Sequence, residues 1–153
     1  MQLDDTAHIL GSADFFAICN LEQRRMLAFA SERKQFKAGA VLFSAGDVTS
    51  GAYVLVSGEL VSKNNNEPDA EVVHISQPGT VIAELALIAE HPRRTSVVCE
   101  TNVELLVVPR SAFGKLMEEF PDVASRAMEL IRNDIGKFVS SLESAGIRAE
   151  KKR

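Results

Sequence analysis

Between Gly79 and Val98 the chain reads GTVIAELALIAEHPRRTSVV, and these residues could bind an anion. One acid, Glu84, heads a short apolar run from Leu85 to Ala89, and two arginines, Arg93 and Arg94, follow Pro92. A run this short cannot be assigned by period alone. Its Ala, Leu and Glu content predicts one or two turns of helix. Pro92 closes the run, because the residue before a proline avoids helical geometry. Free N–H groups at a helix start favour negative charge, and a guanidinium offers a planar fork to a phosphate.

The rest of the chain must position that stretch. Residues 1–32 read as helical, with Asn20 and Gln23 spaced as a capping box and Leu21, Met26, Leu27, Phe29 and Ala30 behind it. From Arg33 the period shortens. Extended pieces are expected at Gln35–Lys37, Val41–Phe43, Tyr53–Val56, Leu60–Lys63, Glu71–Ile75, Ser96–Glu100 and Val103–Val108, with a polar turn tip at Asn64–Asp69. Turn signals recur about every ten residues, which indicates a sandwich or barrel rather than βαβ units. The fold expected over 33–109 is a mainly β, eight-stranded, jelly-roll-like double sheet with flanking helices.

After Pro109 the helical pattern returns. Ser111 is placed to cap a helix that ends at Pro121, and Asp122 to cap a long helix reaching Glu150. Ala124, Met128, Ile131, Ile135, Phe138, Leu142, Ala145 and Ala149 are spaced as a coiled-coil seam. At 1.5 Å per residue that helix is about 40 Å long, more than a small β domain covers. A homodimer through this helix is the expected use of the surplus. The 111–150 helices, the β body and the N-terminal segment together read as one domain over 1–153.

Composition narrows the function classes. The net charge is −4, so an affinity built on phosphate-backbone neutralisation is not expected, and nucleic acid is not an expected partner. Cys19 and Cys99 are the only cysteines and are far apart, as for free thiols in a reducing compartment. No secretion signal and no apolar run of roughly 20 residues is visible, so a cytoplasmic protein without a membrane partner is expected. His8, His74 and His91 are scattered, and no His-x-His pair, zinc spacing, Gly-x-Ser-x-Gly elbow or Walker loop occurs. Neither a metal nor an enzyme is expected.

Two ordered blocks then resemble the cyclic-nucleotide-binding domain of catabolite activators and protein kinase A regulatory subunits, over roughly residues 15–145. The first is Phe36, Gly39, Val41, Leu42, Phe43, Gly46, Asp47, Tyr53, Val54, Leu55, Ser57, Gly58 and Glu59. The second is Ile82, Ala83, Glu84, Leu85, Ala86 and Leu87, a spacer, then Pro92, Arg93, Arg94, Thr95, Ser96 and Val97. It is similar to that family's phosphate-binding cassette, here 79–98. Ile82 stands where the family carries an aromatic, Ala83 where it carries a glycine, and Thr95 where it carries an alanine.

The resemblance implies a ligand site at Ile82, Ala83, Glu84, Leu85, Ala86, Arg93, Arg94 and Thr95. Glu84 would hold the ribose 2′-hydroxyl, Arg93 the cyclic phosphate, and amides of the short phosphate-binding helix would complete the cradle. The chemistry suits this division. A carboxylate cannot sit on an anionic phosphate but can accept from a hydroxyl, whereas arginine keeps its charge and offers paired donors. The implied ligand is a cyclic purine nucleotide, cAMP or cGMP. The implied role is a stand-alone, bacterial-type sensor without a DNA-binding domain, signalling through the long C-terminal helix to an effector protein. A non-binding interaction module of the same fold, and the sensor fragment of a DNA-binding regulator, are the alternatives.

Overall fold

Residues 52–56 and 105–108 are apolar at every position, a pattern that suits strands covered on both faces. The computed structural model describes the backbone of residues 2–63 and 72–144 and the side chains of residues 5–63 and 72–133. Its strands are β1 Glu32–Phe36, β2 Val41–Phe43, β3 Gly51–Ser57, β4 Leu60–Lys63, β5 Val73–Ile75, β6 Val81–Ile82, β7 Ser96–Cys99 and β8 Val103–Pro109. They form two four-stranded antiparallel sheets, ordered β1-β8-β3-β6 and β2-β7-β4-β5. The two apolar runs are neighbours at the centre of the first sheet, with Val54 opposite Leu106 and Leu55 opposite Leu105.

That sheet is buried twice. Leu55 and Leu105 face the other sheet, in a core with Phe43, Leu60, Ile82, Val97, Cys99 and Val103. Ala52, Val54, Leu106 and Val108 face outward into a second core built by the helices. The helices are α1 Gln2–Gly11, α2 Leu21–Ala30, α3 Arg110–Glu119 and α4 Pro121–Ser144, with a 3₁₀ turn at Asp14–Ile18. Phe15, Phe16 and Phe113 join them, with ring centroids 5.1, 5.8 and 6.2 Å apart. Each fully buried Leu or Phe contributes roughly 1.5–3 kcal/mol relative to exposure, so this second core is a large part of the fold's stability.

Local chemistry explains most boundaries. Asn20 and Gln23 form the expected capping box, Asn20 Oδ1 accepting from Gln23 N at 2.8 Å and Gln23 Oε1 from Asn20 N at 2.9 Å. Gly58 turns β3 into β4 at φ +101, and a Cβ there would lie 2.4 Å from the Asn102 carbonyl oxygen. The N-terminal helical expectation over 1–32 runs two residues too far, because α2 ends at Ala30, Ser31 is extended and Glu32 already pairs with Val107. Ser111 does not cap α3. The helix starts at Arg110 with Pro109 at its N-cap and no side-chain cap, since proline's fixed φ stops the strand there. Asp122 likewise sits inside the first turn of α4, where a carboxylate still favours the helix dipole.

α4 meets the domain through Val123, Ala127 and Ile131, which are buried at 0, 0 and 4% exposure. Among the described residues of the expected seam, Ile131 alone is buried, whereas Met128 is 46% exposed. Ile135, Phe138 and Leu142 lie beyond the side chains described, and Ala145, Ala149 and the turn tip Asn64–Asp69 lie outside the described residues. Among the described residues no helix is long and apolar enough to cross a membrane.

Candidate functional site

The 79–98 stretch is held against β3 at its start. Gly79 N donates to Leu55 O at 2.8 Å, and Leu55 N donates to Thr80 O at 2.9 Å. Gly79 takes φ +92 with Ser12 O 2.9 Å from where a Cβ would stand, so a side chain would be excluded twice over. Val81 and Ile82 then pair with Val54 and Tyr53 as β6. At Ala83 the backbone turns left-handed, φ 66 and ψ 43, the one non-glycine positive φ among the described residues. That turn launches the expected short helical turn, which is a 3₁₀ helix over Glu84–Leu87. Three residues per turn suffice for so short a piece.

The second half of the stretch is clamped to the Gly46-Asp47 turn. Gly46 N donates to Arg93 O at 2.8 Å, and Arg93 N donates to Asp47 O at 2.7 Å. Asp47 stabilises its own turn, its Oδ2 accepting from Ser44 N at 2.9 Å. Ser96 Oγ accepts from Ala45 N at 2.9 Å, and Ser62 Oγ donates to Thr95 Oγ1 at 2.9 Å. Arginine backbone position is therefore set by β-turn geometry, not by its side chain.

These elements enclose a cavity of about 370 Å³, within the size range of small-molecule sites. Ile82, Ala83, Glu84, Leu85, Arg93, Arg94 and Thr95 all line it. Ala86 does not. It is 1% exposed and turned into the helical core with Leu87, because a 3₁₀ helix points successive thirds of its residues to different sides. Phe43, Ser62, His91, Val97 and Ile131 also line the cavity. Phe43 and Val97 stand in the two motif blocks but not among the site residues the resemblance implies, and Ser62, His91 and Ile131 carry no signal of a site in the sequence. Ile131 comes from α4, so one wall belongs to the C-terminal helix.

The wall is mostly apolar, with an acid and two cations set into it. Arg93 Nη2 donates to His91 O at 3.0 Å, while its Nε is buried without a hydrogen-bond partner. Burial lowers the Arg93 pKa from its ordinary value; Tyr53 opposes the shift and Arg110 adds to it. Burial likewise raises the Tyr53 phenol, with Arg93 opposing and Asp47 adding. A desolvated guanidinium with an unused donor is a place where an oxyanion gains strongly. Among the described residues no three His, Cys, Asp or Glu side chains gather as a metal-binding group.

Arg110, at the start of α3, has no counterpart in the sequence reading. Its Nη1 donates to Thr49 O at 3.0 Å, Ala86 O at 2.9 Å and Ala89 O at 3.5 Å. Its Nη2 lies 3.4 Å from Glu90 Oε2.

The family model of the cyclic nucleotide-binding domain matches residues 33–120, which spans nearly all of both sheets, the cavity lining except Ile131, and α3. The chain belongs to the cyclic nucleotide-binding domain family. The cAMP-dependent protein kinase regulatory subunit of Aspergillus niger is 30% identical over 105 residues, covering 69% of this chain and 25% of that protein. The cyclic nucleotide-binding-like protein of Brucella abortus is 36% identical with a TM-score of 0.63, covering 75% of this chain and 99% of that one. The regulatory domain of Toxoplasma gondii protein kinase A, solved with cAMP, superposes with a TM-score of 0.72 at 21% identity, over 89% of this chain and 50% of that one. At that identity it shows the fold. The chain thus spans a quarter of the curated kinase subunit it matches, and the jelly-roll double sheet with flanking helices is the family's fold.

Proposed function

We propose that this domain binds a cyclic purine nucleotide, cAMP or cGMP, in the 370 Å³ cavity and acts as a regulatory sensor. The observation that carries the reading is the buried, unpartnered Arg93 Nε on the wall of a cavity that Glu84 also lines. In this reading Arg93 holds the cyclic phosphate and Glu84 accepts from the ribose 2′-hydroxyl. Ile82, Leu85 and Thr95 flank the sugar-phosphate ring, and Arg94 stands at the rim. A ligand lacking the 2′-hydroxyl forgoes a charge-assisted hydrogen bond to the Glu84 carboxylate, which disfavours it. Membership of the family and the cAMP held by the Toxoplasma relative support the ligand class. The ligand meets Ile131, so its occupancy bears directly on α4, through which the signal passes to an effector protein or to a second copy of the chain.

The test is thermal melting and calorimetric titration with cAMP and cGMP. A ligand at 100 times its Kd stabilises by about 2.7 kcal/mol, roughly 5–10 °C for a chain of this size. Arg93→Ala is expected to weaken the bound nucleotide by about 30-fold or more. No heat and no shift at high micromolar concentration of either nucleotide refutes the reading.

One observation favours a second reading, a non-binding module that recruits partners. Ala83 places a Cβ, at left-handed φ, on the cavity wall where the resemblance expects glycine. That reading predicts no thermal shift with either nucleotide, and it falls if Ala83→Gly and the unsubstituted chain both bind.

A further inference from the structure

The 3₁₀ helix Glu84–Leu87 needs something to hold its far end. Its own bonds are few: Ala86 N to Ala83 O at 3.0 Å, Ile88 N to Leu85 O at 3.1 Å and Ala89 N to Leu85 O at 3.2 Å. Helices this short do not hold themselves in water, because nucleation costs more than so few bonds return. The carbonyls of Ala86 and Ala89 point away from the cavity, toward the start of α3. There the Arg110 guanidinium meets both, and the same Nη1 also meets Thr49 O from the segment that leads into β3. Arg110 is itself anchored at its backbone, N to Ser50 O at 2.8 Å. Its side chain is 23% exposed, whereas its acidic partner Glu90 is 77% exposed. The carbonyls rather than the carboxylate are the buried half of its contacts.

We propose that Arg110 is a positioning residue: its guanidinium clasps the trailing end of the 84–87 helix to the β body and to α3, and so sets where Glu84, Leu85 and the cavity wall stand. It does not line the cavity. Two things follow from one charged group serving three carbonyls on two segments. The helix keeps its position when the cavity is empty, and a displacement of α3 is felt at once at Ala86 and Ala89. The ligand half of this proposal rests on the nucleotide reading above; the clasp itself stands on geometry alone.

The experiment compares the full chain with Arg110→Met and Arg110→Lys, first by amide hydrogen exchange without ligand, then by calorimetric and stopped-flow titration with cAMP and cGMP. Arg110→Met is expected to raise exchange about 10-fold or more at the Ala86, Ile88 and Ala89 amides, with β3 and β8 amides unchanged. Arg110→Lys keeps the charge without the planar fork and is expected to fall between. Where the unsubstituted chain binds a nucleotide, Arg110→Met is expected to weaken it about 10-fold, mainly through faster dissociation. Unchanged exchange at those three amides overturns the clasp. So does an equal rise across β3 and β8, which marks a general stability effect. Full recovery by Arg110→Lys of both protection and affinity overturns it as well, since charge alone would then suffice. If the unsubstituted chain binds neither nucleotide, the ligand half is refuted together with the nucleotide reading, and the exchange result alone decides the clasp. Should Arg110→Met fail to fold, Arg110→Lys carries the same comparison.

Discussion

Ala83→Gly isolates a single strained residue. An L-residue in the left-handed helical region brings its Cβ close to the following carbonyl, at a cost of roughly 1–2 kcal/mol. Ala83 sits at φ 66, ψ 43, so that cost is present in the folded chain. Glycine removes it but gains freedom in the unfolded chain, worth about 0.4–1 kcal/mol in the other direction. The balance is a stabilisation of up to about 1.6 kcal/mol, or a rise of about 6 °C at most in Tm. The half-buried Cβ packs against the inter-sheet core, and losing that methyl trims the gain slightly. A urea titration with a thermal melt measures it, and an unchanged m-value keeps the comparison between the same two states. Ala83→Val supplies the opposite sign, because a β-branched residue at positive φ is a genuine outlier and loses stability. A fall of more than about 1 kcal/mol for Ala83→Gly refutes the reasoning, since the Cβ would then be a packing group whose value exceeds its strain.

Asn20→Ala removes the side-chain acceptor for Gln23 N at the start of α2, leaving the backbone half of the capping box, and is expected to cost about 1 kcal/mol, read as a lowered urea midpoint; no change refutes the cap's role. Burial raises the Cys19 thiol from its ordinary 9.0 to about 11, with Arg24 and Arg126 opposing. The folded state therefore holds that proton more tightly than the unfolded chain. Its contribution is full below pH 9.0 and is lost as pH rises toward about 11, so Cys19→Ala flattens the alkaline loss of stability. An equally steep loss in that variant refutes the assignment. With Met128 46% exposed on α4, sedimentation equilibrium of the full chain is expected to give a dimer mass that Met128→Glu reduces to a monomer; a monomer mass for the unsubstituted chain refutes the helix-mediated dimer.

What the sequence reveals depends on how local each cause is. The double sheet is legible because turns and apolar runs repeat along β2 to β4 and β7 to β8. The capping box is legible because Asn20 and Gln23 are three residues apart and bond each other reciprocally. β6 is hidden, since Val81 and Ile82 are too few to show a period. The cavity positions are readable as an ordered motif, yet Ala86 inside that motif turns to the core. Its direction follows from the 3₁₀ winding, which composition does not report. Which side of α4 packs on its own domain is also hard to read: Ala, Met and Ile recur on several helical stripes, and it is the helical core that buries Val123, Ala127 and Ile131. Arg110 is invisible in sequence because its partners Thr49, Ala86 and Ala89 lie 61, 24 and 21 residues away.

The cavity has two kinds of wall. Phe43, Ile82 and Val97 belong to the inter-sheet core, where strands on both sides share one packed interior. Close-packed interiors resist small displacements, so this wall is fixed. Leu85 and Ile131 belong instead to the helical core, which reaches the sheet through side chains on one face. Besides that packing, α4 is tied to the N-terminal turn by Arg126 Nε donating to Ile18 O at 3.3 Å. A ligand touching both walls gains equally from the fixed one in every arrangement of the helices. It can shift the helices only through the contacts that differ between arrangements. In the proposed reading those are Leu85 on the 84–87 helix and Ile131 on α4, two apolar side chains, while Arg93 and Glu84 would supply affinity and orientation. Ligands with the same ribose phosphate but different bases should therefore bind comparably through Arg93 and Glu84 and diverge in how far they move α4, according to how the base meets Ile131.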